Sequence, residues 1–119
     1  LGSAASLGAA FSDERAKQAP GDSHNKNKLP NAKTEVNDFL DKLQAKKYEY
    51  KNPELPGAAP GERVGIIAQD LEKSSMGKAL VRDTQQGKMI DTVQGFGAVL
   101  AAQSELNKRL KALEGKKKA

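Results

Sequence analysis

The chain has 119 residues, room for one domain, and its three Phe, two Tyr and no Trp leave little aromatic area for a core. It has no cysteine, which excludes a disulfide framework and thiolate chemistry. Its net charge of +5 is spread over interleaved acids and bases, without the basic face and stacking aromatics that a nucleic-acid surface needs.

No stretch is long and apolar enough to span a membrane. A thin core leaves two outcomes: a loose chain, or apolar surface buried against other copies. Residues 1–11 are small and uncharged, dominated by Ala, Gly and Ser. They read as a linker or the trailing end of a preceding domain. With Leu1 first and no signal-peptide pattern, the sequence reads as a piece of a longer chain.

At Ser12 the composition turns abruptly charged, in the run Ser12-Asp13-Glu14-Arg15-Ala16-Lys17. Residues 19–31 hold two prolines, a glycine and several Asn and Lys, which is loop chemistry. The single histidine, His24, falls there. With no Cys and no second His, no metal site and no cofactor are expected.

Residues 34–47 predict an amphipathic helix, with Val36, Phe39, Leu40 and Leu43 at helical spacing and Thr34 as N-cap. Tyr48-Glu49-Tyr50 alternates like a strand with both tyrosines on one face. Residues 52–62, rich in Pro and Gly, predict an extended loop. Residues 64–74 begin β-branched and turn helical, and are read as core and turn. Leu80-Val81-Arg82 and Lys88-Met89-Ile90 flank a Gly-containing connection and predict a β-hairpin.

Asp91 or Thr92 can cap a terminal helix over 92–114, followed by a basic tail at 115–119. A heptad runs through that helix. Met89, Phe96, Gln103 and Leu110 fall on one seam, with Thr92, Val99, Leu106 and Leu113 on the other. A helix packed on its own domain explains the same period. Gln103 favours a self-associating seam, because a polar residue at such a position fixes register. The fold class is therefore α+β: a small mixed body with a hairpin and a long terminal helix.

Taken alone, Ser12-Asp13-x-Arg15-x-Lys17 has a plain reading. Ser12 caps a helix whose first turn carries Asp13 and Glu14. The order of segments adds to it. The motif, the helix, the Tyr48-x-Tyr50-Lys51 strand, the Gly65-Ile66-Ile67-Ala68-Gln69-Asp70-Leu71-Glu72 block, the hairpin ending in Ile90-Asp91 and the terminal helix follow one another. In that order they resemble the intramolecular chaperone domain of phage endosialidases, also found in other tail spikes and fibres and in myelin regulatory factor.

That resemblance implies a homotrimer that assists folding of an upstream fibre or spike in the same polypeptide and then cuts itself off. It implies Ser12 as nucleophile, Lys17 as base, and Phe11–Ser12 as the bond cut, with Asp13 and Arg15 in support. Residues 12–119 are then the chaperone domain. Phe96, Val99, Gln103, Leu106, Leu110 and Leu113 form the trimer seam. The setting implied is a virion tail-fibre or spike precursor made in a host cytoplasm, or a bacterial surface fibre.

The chemistry is coherent. A serine hydroxyl needs a neighbouring base, and a lysine serves only if burial or a nearby cation lowers its pKa from about 10.4. Arg15 is a candidate for that cation. Geometry adds a constraint. An offset of five residues is about 140° round a helix and lands on opposite faces of a strand. Ser12 and Lys17 therefore meet only across a bend or between protomers. Two other readings stay open: a trimerisation cap that never cuts, and a basic adaptor that binds nucleic acid or an acidic partner through its Lys-rich surface.

Overall fold

A computed structural model describes residues 11–118, the side chain of Lys118 excepted. Residues 1–10, most of the expected upstream segment, lie outside them. A single 3-10 turn, Glu14–Ala16, is followed by loop up to helix α1, Lys33–Lys42. Strands β1, Lys46–Tyr48, and β2, Arg63–Gly65, form one antiparallel pair. Two short helices follow, α2, Ala68–Leu71, and α3, Ser75–Lys78. Strands β3, Val81–Thr84, and β4, Gly87–Ile90, form a second antiparallel pair, and helix α4, Thr92–Lys118, completes the chain. The α+β class holds, with two small hairpin sheets where the sequence predicts one.

Helix α1 stops five residues short of the predicted end. Leu43 is extended, at φ −76° and ψ 142°, and Lys46 pairs with Gly65 and Tyr48 with Arg63. Cross-strand pairing outweighs the helical propensity of the lysines here. The start also differs. Thr34 lies inside the helix, Ala32 occupies the cap without a side-chain bond, and Asn31 Oδ1 accepts from the Lys33 amide at 2.7 Å. Tyr50 lies beyond the strand. Its ring nevertheless meets that of Tyr48 edge-on, with centroids 5.4 Å apart.

The core sits where α1, α2, α3 and α4 converge. Phe39, Leu71, Leu80 and Ala98 form it, flanked by Leu40, Leu43, Met76, Val81 and Ile90. Among the described residues only Leu71 is a large side chain wholly out of water, so the core is as thin as the composition predicts. Close approach makes up for some of this. A Cβ on Gly77 would lie 2.2 Å from the Leu71 carbonyl oxygen, so only glycine lets α3 seat against the end of α2. Ser74 caps α3, its Oγ accepting from the Gly77 amide at 3.0 Å.

Asp70 places a charge inside this body. The Asp70 side chain is 5% exposed, with Lys73 Nζ 2.9 Å from Oδ1 and Lys46 Nζ 3.0 Å from Oδ2. Lys46 approaches off the hydrogen-bonding direction, leaving Oδ2 an ion partner without an aligned donor. Asp70 thereby ties β1 to α2. Lys73, and then Lys46, hold its carboxyl below the usual carboxylate range against the opposing effect of burial.

A depressed carboxylate stabilises the fold above its unfolded value of about 3.9, and that stabilisation is lost as pH falls through the lower folded value. Asp70→Asn is therefore expected to melt below the parental domain at pH 7. The gap between the two melting temperatures should begin to narrow below about pH 4 and close as pH falls through the lower folded value. A gap of the same size at pH 3 and pH 7 would show that the lysine pairs contribute nothing.

Candidate self-processing arm and association surface

The arm around Ser12 is built on local hydrogen bonds. Asp13, not Ser12, caps the 3-10 turn. Its Oδ1 accepts from the Arg15 amide at 2.8 Å. The Arg15 guanidinium closes on the same carboxylate, Nε at 3.1 Å from Oδ1 and Nη2 at 2.7 Å from Oδ2. This forked pair holds the Asp13 carboxyl below its ordinary range. The capping role read for Ser12 therefore belongs to Asp13. Among the described residues Ser12 Oγ makes no hydrogen bond.

Lys17 closes the turn. Its backbone is extended, at φ −121° and ψ 154°, and its amide donates to the Glu14 carbonyl at 3.1 Å. The bend needed between Ser12 and Lys17 is thus present. Among the described residues, however, the two side chains form no hydrogen bond within one chain, and both residues are exposed. Arg15, the candidate cation, is committed to Asp13. The chain places a turn between the two residues and leaves the lysine in water. Phe11, on the other side of the expected bond, is 83% exposed.

Helix α4 has two distinct faces. Asp91 is its cap, with Oδ1 accepting from the Gln94 amide at 3.1 Å. That bond and the Arg82 ion pair at 2.8 Å hold the Asp91 carboxyl low. Ala98, Ala102 and Glu105 are buried towards the body, and Arg109 donates to Asn37 Oδ1 on α1. The other face lies one residue further on, about 100° round the helix. It carries Phe96, Val99, Gln103, Leu106, Leu110 and Leu113, every one exposed.

Small residues on the inner face let α4 pack closely on the body. Its large apolar residues have no cover in one chain. Two details of the sequence reading change. Met89 lies in β4, because pairing with Arg82 holds it in the sheet, so the helical seam starts at Thr92. The helix also runs through the expected tail to Lys118 rather than ending at 114.

Sequence reasoning missed the buried charges. Asp70 was read as part of a core-and-turn block, and only the i,i+3 spacing to Lys73 hinted at an ion pair. Glu105, 8% exposed beside Lys108 at 3.5 Å, sits among interleaved charges that give no sign of burial.

These features define a small α+β module with an exposed serine–lysine arm and a long helix bearing uncovered apolar side chains. Residues 12–81 match the family model described as chaperone of endosialidase, and the chain belongs to that family. The family is also named as a peptidase family. No curated protein matches the chain. The match begins at Ser12 and ends at the first residue of β3, so the arm lies within it and α4 beyond it.

Proposed function

We propose that this domain is an intramolecular chaperone that trimerises along α4, assists folding of an upstream fibre or spike, and releases itself by cutting Phe11–Ser12. One observation carries the cut. The family match starts at Ser12, where the uncharged segment gives way to the charged arm, and the Ser12 hydroxyl is not used as a cap. The trimer is supported by surface. Phe96, Val99, Leu106, Leu110 and Leu113 are each more than one-third exposed along α4, an apolar stripe of the kind that other copies bury.

The step balances without a cofactor. Lys17 Nζ accepts the Ser12 Oγ proton as Oγ attacks the carbonyl carbon of Phe11. The peptide C–N bond breaks, the proton passes to the Ser12 nitrogen, and an ester joins Phe11 to Ser12 Oγ. Water attacks that ester with Lys17 again as base. The products are a chain ending at Phe11 and a domain beginning at Ser12. The trimer supplies the desolvation that leaves the lysine neutral, since one protomer leaves it in solvent. Backbone amides are the natural donors to the oxyanion.

The competing reading keeps the trimer and drops the chemistry. Intact-mass measurement of the freshly folded domain separates them. Loss of residues 1–11, with Ser12 as the new N-terminus, supports cutting. A chain that stays whole through complete trimer formation leaves only the cap.

A further inference from the structure

Between the two hairpins lies an open cleft of about 670 Å³, within the roughly 300–1,000 Å³ typical of ligand clefts. Ile66 and Ile67 line it, with Tyr48 and Tyr50 at one side and Met89 and Ile90 at the other. Strand β4 runs along it and, among the described residues, pairs with β3 alone, so its outer edge presents backbone donors and acceptors to a further strand. Glu49 and Lys88 are the charged residues of the lining, and Lys88 is already held by Glu72 at 3.1 Å and Asp83 at 2.7 Å. An apolar trough beside an open strand edge suits an extended, uncharged peptide.

The chain contains such a peptide. Residues 1–12 carry no charge, and the other long uncharged stretch, residues 92–104, is wound into α4. The first stretch runs up to Phe11, whose ring is exposed. The arm is anchored at Ala19, which is fully buried, and its amide donates to the Lys26 carbonyl at 2.8 Å. From that anchor the eight residues back to Phe11 span at most about 26 Å, and less with the 3-10 turn Glu14–Ala16 in place. Tyr50, Ile66 and Met89 are each more than one-third exposed, so the cleft has apolar surface left to cover.

We propose that this cleft receives the uncharged segment ending at Phe11, with the Phe11 ring among Tyr50, Ile66 and Met89 and the preceding residues extended along β4. The inference rests on the self-processing reading and deepens it. It gives the acyl side of the Phe11–Ser12 bond a seat, which fixes the carbonyl and withdraws it from water. It also gives a preference: an apolar side chain before the serine, preceded by small uncharged residues.

The test uses the full chain carrying Ser12→Ala, which keeps the bond intact, with benzoylphenylalanine replacing Phe11. Irradiation should join position 11 to peptides containing Tyr50, Ile66 or Met89. Crosslinks confined to α4, or none at all, overturn the proposal. In the otherwise unaltered chain, Met89→Glu should slow cleavage at least tenfold while the trimer fraction is unchanged, because Met89 is half-exposed and outside the core. An unaltered rate in a fully trimeric Met89→Glu domain also overturns it. The two readings fail separately. A parental chain that never cuts removes self-processing, and the crosslink still reports whether the cleft holds the segment.

Discussion

Ser12→Ala is expected to leave the Phe11–Ser12 bond whole in the assembled domain, a loss on the order of 10⁴-fold or more. Nothing among the described residues offers a substitute nucleophile, since there is no cysteine and Ser12 alone adjoins the bond. Lys17→Ala should be as severe. Lys17→Arg is the more informative change, because arginine keeps the positive charge and cannot serve as a base at neutral pH. If Lys17 only places a charge, Arg should restore cutting; if it takes the proton, Arg should be as inert as Ala. Asp13→Asn should cost far less, because asparagine also caps a turn and only the ion pair to Arg15 weakens. Intact mass followed over time, with the trimer fraction measured alongside, reads all four. Unchanged cleavage in purified Ser12→Ala protein would end the serine mechanism.

The sequence made the order of elements legible because each carries a local signature. Asp91 caps α4, the Gly87 turn closes the β3–β4 hairpin with φ at 131°, and the apolar spacing of Val36 and Phe39 builds α1. What stayed hidden depends on partners distant in the chain. The first hairpin sheet needs residues 46–48 to find 63–65 across a Pro- and Gly-rich loop, and no local period announces that pairing. Lys46 turns from helix to strand for the same reason, and its contact with Asp70 lies outside any sequence window.

At the candidate site the five-residue offset made a bend expected, and a 3-10 turn lies between the two residues without joining their side chains by a hydrogen bond. Which residue caps that turn was not. Ser12 and Asp13 are both good caps on composition, and the fork of Arg15 onto Asp13 decides between them. The exposed apolar stripe on α4 was legible as a heptad. Its separation from the Ala98, Ala102 and Glu105 face required knowing which side of the helix the body covers.

Leu110→Asp is expected to suppress cleavage in proportion to the trimer it destroys, although it lies far along α4 from the arm. The motivating facts are geometric. The described chain leaves Ser12 and Lys17 exposed and without a mutual hydrogen bond, and on the proposed reading the environment that makes lysine a base comes from another copy. Leu110 is 57% exposed and Leu113 60%, and beyond Glu105 the helix has little cover from its own body. An aspartate there adds no strain to the monomer and puts a charge into a desolvated seam. Leu106→Asp should act in the same direction. Separating the species by size and measuring the cleaved fraction in each should give cut trimer and whole monomer. Diluting a preformed trimer should leave the rate per molecule unchanged, because the reacting groups are already assembled. A monomeric Leu110→Asp domain that cuts at the parental rate would place the whole active site within one chain. The exposed arm would then close by its own folding, and release could not report on assembly.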